Sequence, residues 1–339
     1  MTAPGATQSL ERTQIPVSAL QRIQAPIRER LDAVAEEMLR TVASDAPLVG
    51  QISGHLMAMR GKMLRPTLVL LSSAVDDTPE PAAISLAAAV ELIHLATLVH
   101  DDAIDHSILR RGMPTLNSLF SHQISVIMGD FLYSTALTRL VALGNLGALE
   151  ALTRASTEMT IGELRQLAVT RPLEFSEEDY FALIRAKTAS LMSAACEIGS
   201  LAGASASREP LARFGERLGM AFQITDDLID YTEAAATVGK PTGLDLREHK
   251  VTLPLIAALQ VMPRSARLRV ESLFASEAPD DEAIGEVIGI VAENGGLEYA
   301  RATGSRFALE AEKIMEALPD TVARSALIDS ISYVMERHS

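Results

Sequence analysis

The stretch that decides the reading is ELIHLATLVHDDAID, residues 91–105, in which a long apolar run closes on three aspartates. Its apolar positions recur every three or four residues, the spacing of one helical face. The segment is therefore expected to be a helix whose C-terminal end carries Asp101, Asp102 and Asp105. A second stretch, GMAFQITDDLID at 219–230, has the same form and ends on Asp226, Asp227 and Asp230. In each DDxxD the outer two carboxylates share a helix face, and the middle one lies about 100° round. Like charges at that spacing repel, and acidic groups at a helix C-terminus oppose the macrodipole. A solvated helix end would account for one such match. Two, both closing apolar helices, point to cations held between the carboxylates. Oxygen-only donors select a hard cation, and Mg²⁺ favours one or two carboxylates completed by water and phosphate oxygens.

Outward from these helices, the rest of the chain reads as helical too. Among 339 residues, 30 Lys plus Arg face 44 Asp plus Glu, giving a net charge of −14. Such a chain has no global field for gripping a phosphodiester backbone, so nucleic acid is not an expected partner. Hydrophobic residues reach 48% but aromatics only 4%, with no Trp. A core filled with Ala, Leu, Ile and Met suits close helix packing better than a β-sandwich. Period-3.6 patterning predicts helices over 20–42, 62–75, 81–105, 115–141, 146–170, 177–204, 211–233, 251–261, 265–275, 281–294, 297–317 and 320–337. Short breakers such as Asp77-Thr78-Pro79, Gly144-Asn145 and Glu209-Pro210 separate them. No alternating strand is legible. The one long irregular connection, 234–250, reads as a lid or a surface loop.

No shift of composition marks a border, so the expectation is a single all-α domain over 20–339 behind a flexible N-terminal tail, 1–19. The lone cysteine, Cys196, excludes an internal disulfide and a Cys-rich zinc site, and reads as a small buried hydrophobe. The first twenty residues lack both a basic and an apolar region, so no signal peptide is expected. The long uncharged stretch 112–129 carries Asn117, His122 and several Ser, so no transmembrane segment is expected either. These features together predict a cytoplasmic protein.

Cations grouped beside the aspartates outline an anionic ligand. Arg110-Arg111-Gly112 follows the first cluster, and Arg60-Gly61-Lys62-Met63-Leu64-Arg65-Pro66 packs three cations beside a helix start. Lys187-Thr188 opens another apolar run, Gln223 precedes the second cluster by three residues, and Lys240 and Lys250 flank the long connection. Singly, each basic residue is an ordinary surface charge. Grouped in an acidic chain, they suggest diphosphates bridged to metal on one side and hydrogen-bonded to Arg or Lys on the other.

From Gly61 to Leu255 the sequence resembles the trans-type polyprenyl diphosphate synthases, and within them the longer-chain members. The resemblance is carried, in the family's order, by GKMLRP, ELIHLATLVHDDAIDHSILRRGMPTLN, GDFLYS, GELRQL, KTASLM, FQITDDLIDY, GKPTGLDL and HKVTLPL. It implies an all-α helical bundle around a deep central apolar cavity (the isoprenoid synthase type I fold). It also implies a homodimer, with the two aspartate clusters facing each other across the mouth. By position, Asp101, Asp105 and Asp226 would hold Mg²⁺, with Asp102, Asp227 and Asp230 in the same clusters. Arg110, Lys187, Thr188, Gln223 and Lys240 would hold the allylic diphosphate, with Lys250 near it. Lys62, Arg65, His94 and Arg111 would hold isopentenyl diphosphate. His94 precedes Asp101 by seven residues, two helical turns, and so lies on its face. The chain departs from the family pattern at Arg60-Gly61-Lys62, at His106-Ser107 and at Glu248-His249-Lys250, where His249 replaces a usual glycine.

The implied reaction is ionisation, condensation and elimination, with released diphosphate as the base and an apolar tunnel keeping water from the cation. Three rival readings are a class I terpene cyclase, a non-catalytic partner subunit and a plain helical binding protein. The second DDxxD speaks against the first, the six retained aspartates against the second, and the clusters themselves against the third. Product length is read from the helix below the first cluster. Thr97 and Ala96 precede Asp101 by four and five residues and are both small, with Ile93 deeper and Leu137 from the GDFLYSTAL segment beside it. A tail running toward the helix N-terminus then has two turns, roughly 11 Å, before any floor. This predicts products of C30 or longer, with C20 as the alternative.

Overall fold

The computed structural model describes residues 18–59, 61–232 and 242–336, and the patterned segments within them are helices. Ser18 starts α1 (Ala19–Gln24) through a capping box with Gln21. The predicted helix over 20–42 is interrupted by a 3₁₀ turn at Ala25–Ile27, where Pro26 cannot donate a backbone bond, and resumes as α2 (Arg28–Thr41). The next helix, α3 (Pro47–Ala58), was not legible in the sequence. Gly50 and Gly54 dilute its propensity, while Pro47 at its first position favours its start. Then come α4 (Leu64–Ser73) and α5 (Ala82–Ile104), close to their predicted bounds.

A two-residue ladder, β1 (Leu109–Arg110) with β2 (Met113–Pro114), follows where no strand was expected. The turn between them needs a left-handed backbone at both Arg111 and Gly112, φ 53° and 75°. The chain continues through α6 (Leu116–Leu119), α7 (His122–Leu143), α8 (Leu146–Leu167) and α9 (Glu177–Ile184). Between α9 and α10 (Ser190–Ser200) the predicted continuous helix swells into a π-helical turn, Arg185–Ala189. After α11 (Arg208–Thr232), the described part of the long connection holds α12 (Leu244–Arg247). The chain ends with α13 (Leu253–Val261), α14 (Arg264–Phe274), α15 (Asp281–Glu293), α16 (Gly296–Met315) and α17 (Val322–Met335).

One contiguous apolar core runs from Ile23 to Val334. At its centre α5 is wrapped by α2, α4, α7 and α10, and α11 packs along both α10 and α16. By length and composition α5 and α7 could each cross a membrane. The helices around α5 bury it, whereas α7 leaves Ile127 and Val141 exposed on its outer face. Small residues set the helix spacing. A Cβ on Gly215 would stand 2.5 Å from the Met192 carbonyl oxygen and 2.9 Å from Cys196 Sγ, so α11 can lie directly on α10. On the other side of α10, Gly199 meets the Val69 carbonyl of α4. Burial pushes the Cys196 thiol up to about 12, in keeping with a packing role.

This packing makes Gly199→Ala a sharp test, because the added methyl meets backbone of α4 rather than a side chain that can turn away. Urea unfolding should show a loss of about 1–3 kcal/mol. An unchanged midpoint would mean that α4 and α10 are not in such close contact.

Candidate active site

At the end of α5 the three aspartates take different directions. Asp102 is buried and accepts from Arg110 Nε at 2.8 and 2.9 Å on its two oxygens. Asp101 stays half-buried and Asp105 exposed, on the open side. Burial pushes the Asp101 carboxyl up to about 6, against the pull of the Lys187 ammonium.

The second cluster, in the last two turns of α11, repeats this division. Asp227 is buried and accepts from the Tyr180 hydroxyl at 2.6 Å and from Gln223 Nε2 at 2.8 Å. Burial is also the main reason its carboxyl lies above the usual range. Asp226 is exposed. Asp230 accepts the backbone N–H groups of Leu244 at 3.0 Å and Asp245 at 2.9 Å, so it caps the start of α12.

Two links join the clusters. The π-helical turn aims Lys187 at the first cluster and Thr188 at the second. Lys187 Nζ donates to Gln166 Oε1 at 2.7 Å and pairs with Glu163, beside Asp101. Thr188 Oγ1 donates to Gln223 Oε1 at 2.7 Å, and Gln223 in turn donates to Asp227. Extra-wide turns of this kind re-aim side chains within an otherwise regular helix. Gly162 lets α8 approach the turn, since a Cβ there would stand 2.9 Å from that of Ala186. The second link is Lys250, which pairs with Glu248 at 2.7 Å and feels the carboxylates of both Asp105 and Asp245. The half-buried Asp245 carboxyl is raised well above its ordinary value by desolvation, and then by Asp227 and Asp230.

A basic pocket lies beside the first cluster. Arg65 Nη1 donates to His94 Nε2 at 3.0 Å. Burial first, then the charges of Arg65, Arg111 and Arg110, hold His94 well below its ordinary value, so the ring is neutral and accepts. Lys62 is fixed from both chain ends: Gln24 Nε2 donates to its carbonyl at 2.9 Å, and its ammonium lies 5.5 Å from the Tyr333 ring centroid. The hairpin between β1 and β2 divides two neighbouring arginines between the two sites. Arg110 reaches Asp102, while Arg111 crosses Gly61 and donates to the Met59 carbonyl at 3.0 Å.

Residues 46–291 match the family model for polyprenyl synthetase. The chain belongs to the polyprenyl synthetase family. It is similar to the geranyl-diphosphate-specific all-trans-nonaprenyl-diphosphate synthase of Rhodobacter capsulatus, with 37% identity over 319 residues, 94% of this chain and 98% of that one. It is also similar to heptaprenyl diphosphate synthase component 2 of Geobacillus stearothermophilus, at 34% identity over 92% of this chain and 97% of that one. A polyprenyl synthase structure from Caulobacter crescentus CB15, complexed with calcium and isoprenyl diphosphate, superposes with a TM-score of 0.89 at 31% identity. That match covers 96% of this chain and all of the other. This protein is accordingly a prenyltransferase with the all-α fold of its family.

Within this polyprenyl synthetase, the structure gathers the expected residues into two adjoining groups. Lys240 lies outside the described residues, as does the N-terminal tail through residue 17. The sequence reading grouped Ala96 with Thr97, but the structure separates them. His94, Thr97, Leu98 and Asp101 form a half-buried stripe down α5. Ala96 is buried between Ser85 and His100 on the strip facing α7, where Arg139 donates to Ser85 Oγ and His100 bonds the Val126 carbonyl. Ile93 is fully buried, and Leu137 packs half-buried against the core. His249 has φ 53°, which accounts for glycine being usual there, and its ring lies tilted against Phe274 with centroids 5.4 Å apart. Sequence reasoning assigned no role to Glu163, Gln166 or Asp245, although GELRQL and GKPTGLDL contained them. Tyr180 carried no signal, since nothing in its neighbourhood predicts a contact 47 residues away.

Tyr180→Phe tests the inward tie of the second cluster. It removes one hydrogen bond to a buried carboxylate, an effect of order tenfold. The Michaelis constant for the allylic substrate should rise and that for isopentenyl diphosphate stay within about twofold. Equal effects on both would place Asp227 outside the allylic side of the site.

Proposed function

We propose that this chain condenses isopentenyl diphosphate with an allylic diphosphate and repeats the step to a polyprenyl diphosphate of C30 or longer. Mg²⁺ would be held by Asp101, Asp105 and Asp226. The observation that carries this reading is that neighbouring residues of one turn reach both aspartate clusters, Lys187 acting on Asp101 and Thr188 reaching Asp227 through Gln223. A diphosphate placed there meets cations and open carboxylates from both helices. Asp101, Asp105 and Asp226 fit a hard cation as oxygen donors that reach the open side, while Asp102 and Asp227 are bound inward and Asp230 caps α12. Among the described residues no three acidic, His or Cys side chains converge as a ready-made cage. Such an open arrangement leaves room for water and phosphate oxygens, the habit of Mg²⁺. When bound, the metal supplies Lewis-acid neutralisation of the leaving diphosphate.

The chain's own residues do the rest. Arg110 and Lys187 stand where charge develops on the departing group, and Lys240 is assigned there by resemblance. Thr188 and Gln223 orient that diphosphate with hydrogen bonds, and Lys250 screens the two clusters from each other. Lys62, Arg65, Arg111 and neutral His94 hold isopentenyl diphosphate beside it, so its double bond meets the allylic carbon. Nonaprenyl and heptaprenyl relatives support a long product over C20. The stripe below Asp101 supplies the path for the tail, with Thr97 its first obstacle, Ala96 and Ile93 at the seam with α7, and Leu137 across it.

Incorporation of labelled isopentenyl diphosphate, with geranyl, farnesyl and geranylgeranyl starters, tests the assignment. Asp101→Ala and Asp226→Ala should each lose more than ~100-fold in turnover while remaining helical. Retained turnover would refute the metal sites. Thr97→Phe should shorten products toward C15–C20 with incorporation preserved, because it blocks the tail and not the diphosphates. Unchanged lengths would refute the tunnel.

We also propose a homodimer, with a second copy covering α7. Ile127 and Val141 lie on one side of that helix and are 66% and 65% exposed, two large apolar side chains that water disfavours, with the exposed Asp130, Ser134 and Thr138 between them. On this reading α7 is an interface helix rather than a membrane span, and the enzyme works in the cytoplasm. Light scattering should give twice the chain mass, and Ile127→Glu should give the single mass. A wild-type monomer would refute it.

A further inference from the structure

The basic pocket contains a residue that opposes its apparent purpose. Glu91 on α5 is only 3% exposed and sits one turn before His94, the partner of Arg65. Its Oε2 is buried without a hydrogen-bond partner among the described residues, and so is Arg65 Nε. Burial pushes the Glu91 carboxyl above its ordinary value, and the two cations Arg65 and Arg111 oppose that shift by favouring its charged form. A negative charge held in a low-dielectric interior weakens the binding of any anion to the same guanidiniums. If the pocket existed only to grip a diphosphate, this carboxylate would be a defect.

The stoichiometry of chain growth gives it a use. In each round the C1–O bond of the allylic diphosphate breaks, C1 bonds to C4 of isopentenyl diphosphate, and C2 gives a proton to the released diphosphate as the C2–C3 double bond forms. The departing inorganic diphosphate comes from the old chain. The lengthened chain therefore carries the diphosphate that Lys62, Arg65 and Arg111 were holding. Before the next round that group must leave the basic pocket for the aspartate clusters. Three unopposed cations would hold it there.

We propose that Glu91 is the resident counter-anion of the basic pocket and sets how readily the lengthened diphosphate leaves it. This rests on the assignment of the pocket to isopentenyl diphosphate. With the pocket empty, Glu91 balances Arg65 and Arg111. With the pocket filled, it weakens their hold on the group that must move. It is a positioning residue, acting on substrate through the arginines.

The test is Glu91→Gln, which keeps shape and removes charge, with Arg65→Gln alongside. Isopentenyl diphosphate is titrated into each protein without allylic substrate or metal. Glu91→Gln should bind it about tenfold or more tightly, turn over more slowly and release shorter chains. Weaker or unchanged binding by Glu91→Gln overturns the proposal, since a merely structural carboxylate would loosen the pocket when removed. Arg65→Gln should bind at least about tenfold more weakly. If it binds as the wild type does, the pocket assignment itself fails and takes this proposal with it. Should Glu91→Gln be too unstable to titrate, inorganic diphosphate should raise its melting temperature more than that of the wild type. A smaller rise overturns the proposal.

Discussion

Carboxylates crowded at the ends of two apolar helices repel one another, and the architecture around them is organised by that repulsion. Each cluster turns its middle aspartate inward, onto Arg110 in one case and onto Tyr180 and Gln223 in the other. Asp230 is bound by the backbone of α12. Asp105 and Asp226 are exposed and Asp101 half-buried, with Lys187 and Lys250 between the groups. On the proposed function, the site is a charge arrangement that anionic substrate and metal would complete.

The same balance extends to the basic pocket. Arg65 and His94 are half-buried near the buried Glu91, so cations, a neutral acceptor and a carboxylate share one largely desolvated region. Burial on this scale requires a stiff frame. α5 supplies it, wrapped on its sides by α2, α4, α7 and α10, with glycines such as Gly199 and Gly215 letting backbones approach. The frame also binds the chain ends to the chemistry, because Gln24 and Tyr333 hold the segment that presents Lys62.

Much of this was legible in the sequence because helical periodicity is local. The segments that end in DDxxD, and most of the other helices, lie close to where their apolar spacing puts them. The misses have physical causes. Gly50 and Gly54 hid α3, Pro26 broke the first helix, and the π-helical turn at Arg185–Ala189 adds a residue that no periodicity reveals. In the site, the residues with charges in motifs were found, and those that act through tertiary contact were not. Tyr180, Glu163, Gln166 and Glu91 acquire their roles only when α9, α8 and α4 come to lie against α11, the π-helical turn and α5. Ala96 and Thr97 look alike in sequence, yet one turns toward α7 and the other toward the open stripe.

The central claim is that both aspartate clusters act on one diphosphate. A double-mutant cycle on Asp101→Ala and Asp226→Ala measures this most directly. Its readout is the binding of a non-reactive allylic diphosphate analogue in the presence of Mg²⁺. If the clusters share the ligand, the second substitution should cost far less after the first, with a coupling of about tenfold or more. Losses that simply multiply would mean that the clusters bind independently, and would contradict the account.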